Sequence, residues 1–233
     1  MRFSRTLLAL LLCPVLSALA LTLPSVRAAE AEYRGCRFQK PQAFLIRKNF
    51  MIGKVLDGRK ANDATRYRVE QYGRIEGGPY EQLNTKTAYS QAKSIHFMGL
   101  PLLVHAKIAP ALACVEHRLK KECSKPGDSY RARAIGGFRT ENSYRGAEVS
   151  NHLFGIAIDI DPNRNPCCGC VAPWPDHKAC QGSAESIFDR TELPRCWIDT
   201  FEKYGFYWLG RDPQLRDTMH FEFLGKPERI VPQ

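Results

Sequence analysis

The sequence lacks internal repeats, low-complexity tracts and any regular alternation of strand and helix patterns. These absences argue against a solenoid and against a doubly wound parallel sheet. Acidic side chains are the scarcer sign, with 24 Asp and Glu against 34 Lys and Arg and a formal net charge of +10. A basic chain suits an anionic partner, but charge alone does not separate a cell-wall polymer from nucleic acid or from simple solubility.

An apolar run at residues 7–23 follows Arg2 and Arg5 near the start of the chain. Together with small residues near positions 20 and 28, this pattern predicts a secretory signal peptide at residues 1–28 and a periplasmic or secreted location. A retained membrane anchor is the alternative, because the run approaches the ~18 residues that span a bilayer. Loss of Arg2, Arg5 and Arg27 would leave a net charge of +7, which is 10 minus 3.

Eight cysteines lie beyond the predicted signal peptide, and an even number in an oxidising compartment predicts disulfides. A structural zinc knot of cysteines with His177 is the alternative. Three cysteines precede residue 130 and five follow it, so complete pairing requires at least one bridge between the two parts. A vicinal bridge is strained, so adjacent cysteines should have different partners. The candidates are Cys36, Cys114, Cys123, Cys167, Cys168, Cys170, Cys180 and Cys196.

The first half of the mature chain carries weak secondary-structure patterns. Residues 29–97 form a predicted N-terminal region, read as short strands and loops because polar and turn residues dominate residues 36–93. Pro110 predicts the start of a helix at residues 111–122. Residues 102–108 are interpreted as possible first turns of the same helix, kinked at Pro110.

The second half alternates strand and helix patterns irregularly. Strands are predicted at residues 130–138, 156–160, 206–209 and 220–224, with a short helix at 198–204. This predicts an α+β fold at residues 98–229, with flanking helices on a small, largely antiparallel sheet and a disulfide-rich insertion at 165–196. Five aromatic residues are interpreted as core rather than as a sugar-binding groove, whereas Trp174 is the better surface candidate. The five are Trp197, Tyr204, Phe206, Tyr207 and Trp208.

Residues 150–159, Ser-Asn-His-Leu-Phe-Gly-Ile-Ala-Ile-Asp, carry the strongest chemical pattern. An extended chain would hold His152 and Asp159 ~23 Å apart, so the chain must double back for both to bind one metal ion. Gly155 can take such a turn without a Cβ penalty. Asp159 is then expected on the polar face of a strand whose other face is buried.

A catalytic zinc site commonly has three protein ligands and an open position for water. His220, at the start of an apolar strand, is the candidate third ligand. Asp217 could act as general base beside the metal-bound water. Glu222 shares the strand face of His220 and could orient its ring. Glu222 and Ser150 are the candidates for support of the ligands or for an alternative base.

These residues carry a resemblance to a known family. The pattern Ser-x-His-x-x-Gly-x-Ala-x-Asp, followed by acidic-x-x-His, resembles the D-alanyl-D-alanine carboxypeptidases. That family includes the vancomycin-resistance dipeptidases and L-alanyl-D-glutamate endolysins and shares its fold with the hedgehog signalling domain. The resemblance covers residues 102–225 and implies one Zn²⁺ held by His152, Asp159 and His220, with Asp217 as the base.

The same resemblance implies that Arg139, in Gly-Gly-Phe-Arg-Thr, lies near the scissile carbonyl, where a guanidinium would stabilise an oxyanion. Two features depart from the family pattern, namely the long insertion at residues 165–196 and Met219 just before His220. Both bear on the shape of the substrate groove. Neither removes a catalytic group.

The function implied is zinc-dependent hydrolysis of an amide bond in peptidoglycan stem peptides, by a monomer without nucleic-acid partners. Both the D-Ala-D-Ala and the L-Ala-D-Glu bonds remain open as substrates. A carboxypeptidase needs a cation for the terminal carboxylate, and several arginines flank the motifs. The alternatives are a non-catalytic zinc-containing cell-wall binding module and a disulfide-stabilised wall protein without metal. The flanking arginines are Arg131, Arg133, Arg145, Arg211 and Arg216.

Overall fold

The computed structural model describes residues 36–142 and 148–230. The predicted signal peptide and Arg145 lie outside these residues. The α-helices of the described part are α1 (Gly58–Tyr72), α2 (Ala109–Glu122) and α3 (Arg195–Lys203), and short 3-10 turns connect many of the other elements. None of them is long and apolar enough to cross a membrane.

Eight short strands in the described residues form three antiparallel sheets. Two of the sheets are hairpins, β1 with β2 and β3 with β4. The third has four strands in the order β5-β6-β8-β7. The strands are β1 (Met51–Ile52), β2 (Val55–Leu56), β3 (Ala92–Phe97), β4 (Leu100–His105), β5 (Ile135–Gly136), β6 (Ala157–Ile160), β7 (Phe206–Trp208) and β8 (His220–Phe223).

The register of the four-stranded sheet positions the predicted site residues. Asp159 of β6 lies opposite His220 of β8, and Ala157 lies opposite Glu222. Directly opposed residues have their Cβ atoms ~5 Å apart on the same face, so the pairing brings Asp159 and His220 together. A small antiparallel sheet with flanking helices confirms the predicted α+β class.

One face of this sheet packs on α2 and α3. Leu112 and Val115 of α2 join Trp197 and Phe201 of α3 in the main hydrophobic core. The ring of Phe201 stacks on Phe221 of β8 with centroids 4.2 Å apart. The core role predicted for the aromatic residues of α3 and β7 is confirmed, since all five are buried.

The opposite face of the sheet is covered by α1, which corrects the prediction of loops and short strands alone in this region. Asp57 caps the helix, because its side chain accepts from the backbone N–H groups of Arg59 and Lys60. Ala61 and Ala64 of α1 pack with Tyr207 in a second core. The helix was missed because its buried side includes small and polar residues, so that hydrophobic periodicity is weak.

The covering by α1 also corrects the expected polar face of β6. All four residues of this strand are buried, including Asp159. The charged side chains of this strand are therefore largely shielded from solvent and must be satisfied by other protein groups or by a bound ion.

Two further expectations about secondary structure are wrong. Residues 102–105 are not helical, because Leu100–His105 pair with β3 in a hairpin and bury Leu102 and Val104. Only Ala106–Ile108 form a 3-10 turn that leads into α2. A short apolar run does not by itself distinguish strand from helix. The strand expected at residues 130–138 is confined to Ile135–Gly136. In contrast, α2 begins at Ala109 with Pro110 in its first turn, as predicted.

All eight cysteines of the described residues form disulfides. Cys123–Cys196 is the predicted bridge between the two parts of the chain, and it joins the end of α2 to α3. Cys167 and Cys168 have different partners, as expected. The zinc knot is thereby excluded in this structure, because bridged sulfur atoms are not thiolate ligands. The pairs are Cys36–Cys114, Cys123–Cys196, Cys167–Cys170 and Cys168–Cys180.

Candidate metal centre

His152 is positioned by a short 3-10 turn, Asn151–Phe154, that reverses the chain before β6. The turn begins at Ser150, whose hydroxyl accepts from the backbone N–H of His152 at 3.3 Å. It ends at Gly155 in the left-handed region, with φ of +65°. A Cβ at Gly155 would collide with the ring of Phe138, so both conformation and space favour glycine.

Three potential metal-binding side chains converge between β6, β8 and this turn. Nε2 of His152 lies 3.1 Å from Nδ1 of His220. The carboxylate of Asp159 completes the group, with Oδ1 2.9 Å from Nδ1 of His220 and Oδ2 3.2 Å from Nε2 of His152. All three side chains are buried. The structure thus brings together the three residues that the sequence suggested as metal ligands.

The donor set fits a zinc ion. Tetrahedral coordination with bonds of ~2.0–2.1 Å implies ligand atoms ~3.3 Å apart, close to the three separations observed. The second nitrogen of each imidazole faces away from this group. Nδ1 of His152 donates to the carbonyl oxygen of Gly137 at 2.6 Å, which leaves Nε2 as the acceptor that a metal requires. Nε2 of His220 lies 3.6 Å from Oε2 of Glu222.

The pKa values of these three side chains depend on one another. Burial opposes ionisation of Asp159, yet contacts with His152 and His220 lower the pKa of its carboxyl. Burial lowers the pKa of His152. For His220 burial acts in the same direction, but the contacts with Asp159 and Glu222 outweigh it and raise its pKa to about 10. The site therefore attracts positive charge, which a proton or a divalent cation can supply.

Asp217 lies in the loop just before β8. Its backbone N–H donates to the carbonyl of Leu209 at 3.3 Å. The side chain is buried, and Oδ1 has no hydrogen-bond partner among the described residues. Burial raises the pKa of this carboxyl to about 7, with the charge of Asp159 acting in the same direction and that of His220 opposing. Such a group can exchange a proton near neutral pH.

Arg139 lies beside the candidate metal ligands. Its guanidinium donates to Oδ2 of Asp159, and its backbone N–H donates to the carbonyl of His152 at 3.1 Å. The side chain remains 42% exposed, in contrast to the buried ligands. Arg139 therefore contributes a positive charge beside the candidate metal position while remaining accessible to a bound molecule.

The candidate ligands open into a cavity of about 380 Å³. Asp217 and Arg139 line the same cavity as His152, Asp159 and His220. The insertion supplies much of the remaining lining, through Val171, Trp174 and the Cys167–Cys170 disulfide, and Met219 also lines the cavity. The two departures from the family pattern thus lie at the cavity that adjoins the metal centre.

A second cavity of about 220 Å³ adjoins the first at Arg139, which lines both. Arg74, Tyr89 and Phe138 form part of its lining. Among the flanking arginines suggested by the sequence, those within the described residues line neither cavity; they are Arg131, Arg133, Arg211 and Arg216. Arg211 is instead paired with Glu202 at 2.7 Å.

Several residues around the centre were not identified from the sequence. Asn151 donates through Nδ2 to Oε2 of Glu222, and Gly137 accepts from His152. Asn151 adjoins a ligand in the motif, which was the available indication. For Arg47 and Arg74, which come from the N-terminal region, no sequence pattern indicated a position at the cavities.

Residues 144–223 match the family model described as D-alanyl-D-alanine carboxypeptidase. The match confirms the family resemblance inferred from the motif, and it supports a hydrolase of the metallopeptidase type. The matched segment contains His152, Asp159, Asp217 and His220, whereas Arg139 precedes it. Searches of curated proteins and of solved structures gave no significant match.

Proposed function

We propose, from the match to the D-alanyl-D-alanine carboxypeptidase family, that this chain is a zinc-dependent peptidase that hydrolyses an amide bond in peptidoglycan stem peptides. The observation that carries the proposal is the convergence of His152, Asp159 and His220 at one point of a cavity that also contains Asp217. A hedgehog-like arrangement of the fold is part of the same proposal.

Zinc bound by the three ligands would supply a Lewis acid for the amide carbonyl and lower the pKa of a water molecule. Asp217 is suited to accept the proton of the attacking water, because its pKa of about 7 matches a neutral medium. The exposed guanidinium of Arg139 would stabilise the oxyanion that develops during attack. Glu222 is assigned to orienting His220, since its carboxylate faces that ring rather than the cavity.

A zinc-containing binding module without catalysis is the alternative function. Such a module would need the three ligands. It would not need a further buried carboxyl group beside them, with an oxygen that has no hydrogen-bond partner among the described residues. Asp217 has this property, and keeping it costs free energy on the order of 1–3 kcal/mol. Residues retained at such a cost are typical of catalytic sites, which favours the enzyme.

For a carboxypeptidase, we assign the cation that holds the terminal carboxylate to Arg74. The guanidinium of Arg47 is engaged, with Glu148 at 2.6 Å and Asp212 at 3.3 Å. Arg74 lines the cavity beyond Arg139, and its side chain makes no hydrogen bond or ion pair within residues 36–142 and 148–230. Arg74→Gln should raise KM for a peptide ending in D-Ala-D-Ala by about ten-fold, since a charged hydrogen bond contributes ~1.5 kcal/mol or more.

The control for Arg74 is the same peptide with an amidated C-terminus. Its KM should be nearly equal for the native chain and for Arg74→Gln, because it has no terminal charge to lose. Equal losses on both peptides would remove Arg74 from this role and would favour cleavage of an internal bond.

The central experiment is digestion of purified peptidoglycan with and without a chelator, with products identified by mass. Released D-alanine would indicate the carboxypeptidase, and shortened stems released as internal peptides would indicate the endopeptidase. Activity that is lost with chelator and restored by zinc is expected. Product formation that a chelator leaves unchanged would contradict the metallopeptidase.

We further propose that residues 1–28 direct secretion to the periplasm or the exterior, where the wall polymer is accessible. Four disulfides in the described chain support an oxidising compartment. A monomer without nucleic-acid partners remains our prediction. Size-exclusion chromatography of the secreted form tests the oligomeric state.

A further inference from the structure

We propose that helix α1 takes part in the metal centre through Arg68, a positioning residue that holds Glu222 and thereby the imidazole of His220. The inference rests on the proposed function, because it concerns the same zinc site. It adds a segment of the chain that lies outside the family match at residues 144–223.

The imidazole of His220 faces the carboxylate of Glu222. Nδ1 of His220 faces the other two candidate ligands, so the ring directs Nε2 towards Glu222, whose Oε2 lies 3.6 Å away. Nε2 has no other partner within the described chain. A carboxylate behind a ligating imidazole fixes the orientation of the ring and increases its basicity. The position of the Glu222 carboxylate therefore bears on the metal affinity.

The carboxylate of Glu222 is buried and requires partners that hold it in place. This carboxylate is 4% exposed, and Oε2 accepts from Nδ2 of Asn151. Oε1 of Glu222 and Oδ1 of Asn151 have no hydrogen-bond partner among residues 36–142 and 148–230. One amide is a weak counterpart for a buried negative charge, which requires further donors or an opposite charge.

We assign the positive charge that Glu222 requires to Arg68. Arg68 lies on the side of α1 that faces the sheet, is 4% exposed, and lines a cavity of about 20 Å³ together with Asn151 and Glu222. A space of this size accommodates about one water molecule, which could bridge the guanidinium to the two oxygens. A cation that lines the same small cavity stabilises the buried carboxylate by its charge and through such a bridge.

The guanidinium of Arg68 is itself held in place from the far side. Its Nη2 donates to the carbonyl of Leu45 at 3.2 Å, and its centre lies 5.8 Å from the centroid of the Phe50 ring. Both contacts belong to the N-terminal region. The path from Leu45 through Arg68 and Glu222 to His220 thus connects this region to the candidate metal centre.

A purely structural Arg68 would stabilise the fold without affecting the metal, so the test measures zinc affinity rather than activity. The full secreted chain and its variants are titrated with zinc in competition with a chromophoric chelator. Arg68→Gln should weaken zinc binding by about ten-fold, and Glu222→Gln by about 10- to 100-fold, as for other partners of metal ligands. The matched control is Arg66→Gln on the exposed side of α1, where within the described residues the side chain pairs only with Glu70.

The decisive comparison is the double variant Arg68→Gln/Glu222→Gln. If Arg68 acts through Glu222, the double variant binds zinc as tightly as Glu222→Gln alone. Losses that multiply, or unchanged affinity in Arg68→Gln, would overturn the inference. If Arg68→Gln does not fold, Arg68→Lys replaces it, because lysine keeps the charge but not the planar set of donors.

For Arg68→Lys we expect zinc affinity about three-fold or more below the native value, with no such loss in the Glu222→Gln background. Native affinity in Arg68→Lys would contradict the inference. A native chain that binds no zinc would refute the proposed function and this inference together. Zinc binding by the native chain with an unaffected Arg68→Gln would refute the inference alone.

Discussion

At the residue scale, three donor atoms meet although His152 and His220 are 68 positions apart. The short interval from His152 to Asp159 is closed by the turn at Gly155. The long interval is closed by strand pairing, since Asp159 and His220 are opposed in the antiparallel register of β6 and β8. Backbone hydrogen bonds therefore set the ligand positions before any metal binds, which reduces the ordering cost of binding.

Asp217→Asn should retain zinc and lose hydrolytic activity. The substitution keeps the size of the side chain but removes the proton acceptor, and a general base contributes about 10²- to 10⁴-fold to rate. We expect kcat to fall by at least 100-fold on that basis, with zinc affinity within about three-fold, because Asp217 is not among the three converging ligands. Steady-state kinetics and a zinc titration of the same sample provide the measurement.

Asp176→Asn is a matched control for this variant, since Asp176 is an exposed acid of the insertion. It should leave both kcat and zinc affinity unchanged. Full activity in Asp217→Asn would reassign the base, and Glu222 would then be the next candidate.

His105 should make folding stability depend on pH. The buried ring donates from Nε2 to the carbonyl of Tyr72 at 3.0 Å and accepts at Nδ1 from the backbone N–H of Lys107 at 3.1 Å, so its neutral form satisfies both partners. Burial lowers its pKa from 6.5 to about 4. The unfolded chain therefore binds a proton at higher pH than the native chain does.

Because the native pKa of His105 is lower than the unfolded one, acid lowers the free energy of unfolding. The contribution of neutral His105 is fully present above pH 6.5 and is lost as pH falls towards 4, by up to about 3 kcal/mol. Urea unfolding at pH 7.5, 5.5 and 4.5 measures the loss. His105→Asn should flatten this part of the pH profile, whereas His96→Asn, at an exposed strand position, should not. Identical slopes in all three proteins would show that other groups cause the dependence.

At the element scale, the insertion forms one wall of the cavity at the candidate metal centre. Two of its disulfides, Cys167–Cys170 and Cys168–Cys180, restrict the loop that carries Trp174. Backbone bonds also join the loop to the residues before β8, with the N–H of Gly169 2.7 Å from the carbonyl of Leu215. Asp217 and the wall of the groove are therefore held by the same short segment.

Trp174→Ala should raise KM for a stem-peptide substrate more than it lowers kcat. The indole lines the cavity but is neither a candidate ligand nor a group assigned to the chemical step, so we expect it to contribute to binding in the ground state and the transition state alike. We expect an increase in KM of about 3- to 10-fold, which corresponds to ~1 kcal/mol of aromatic contact. Steady-state kinetics with a soluble muropeptide give both constants.

Phe38→Ala serves as the control for Trp174→Ala, because Phe38 is 60% exposed and packs on Tyr204, outside both cavities described above. A Trp174→Ala variant with reduced kcat and native KM would show that the insertion acts on the chemical step instead.

At the scale of the whole molecule, disulfides join segments that are distant in the sequence. Cys36–Cys114 connects the start of the described chain to α2, and Cys123–Cys196 connects α2 to α3. Both close loops of more than 70 residues, with separations of 78 and 73. A disulfide that closes a long loop reduces the entropy of the unfolded chain more than one that closes a short loop. These two bridges should therefore contribute most of the disulfides' share of the free energy of unfolding.

The double variant Cys123→Ser/Cys196→Ser should unfold at lower denaturant concentration than the native chain. Loop closure over 73 residues predicts a loss of about 4 kcal/mol in the free energy of unfolding. The control is Cys167→Ser/Cys170→Ser, whose separation of 3 predicts about 2 kcal/mol. Equal losses, measured by urea unfolding under oxidising conditions, would show that strain or local packing outweighs loop entropy.

The sequence by itself identified most of the candidate site of this protein. The motif at residues 150–159 and the Asp217 to His220 segment identified the side chains that the fold brings together, and the family match confirms the resemblance that they carry. Such motifs are readable because a turn glycine and strand alternation act locally. Local patterns also predicted the α+β class and the start of α2 at Pro110. The cysteine count predicted a bridge between the two parts of the chain, and the strain of a vicinal bridge predicted different partners for Cys167 and Cys168.

Only the tertiary structure decided what surrounds these residues. The pairing of β4 with β3, the burial of both faces of β6 and the position of α1 over Glu222 depend on contacts between distant segments, which local patterns do not encode. The apolar run at residues 102–108 was compatible with helix and strand until β3 became its partner. The polar helix α1 was recognisable only from the sheet it covers, because the free energy of burial belongs to the pair of surfaces and not to either sequence alone.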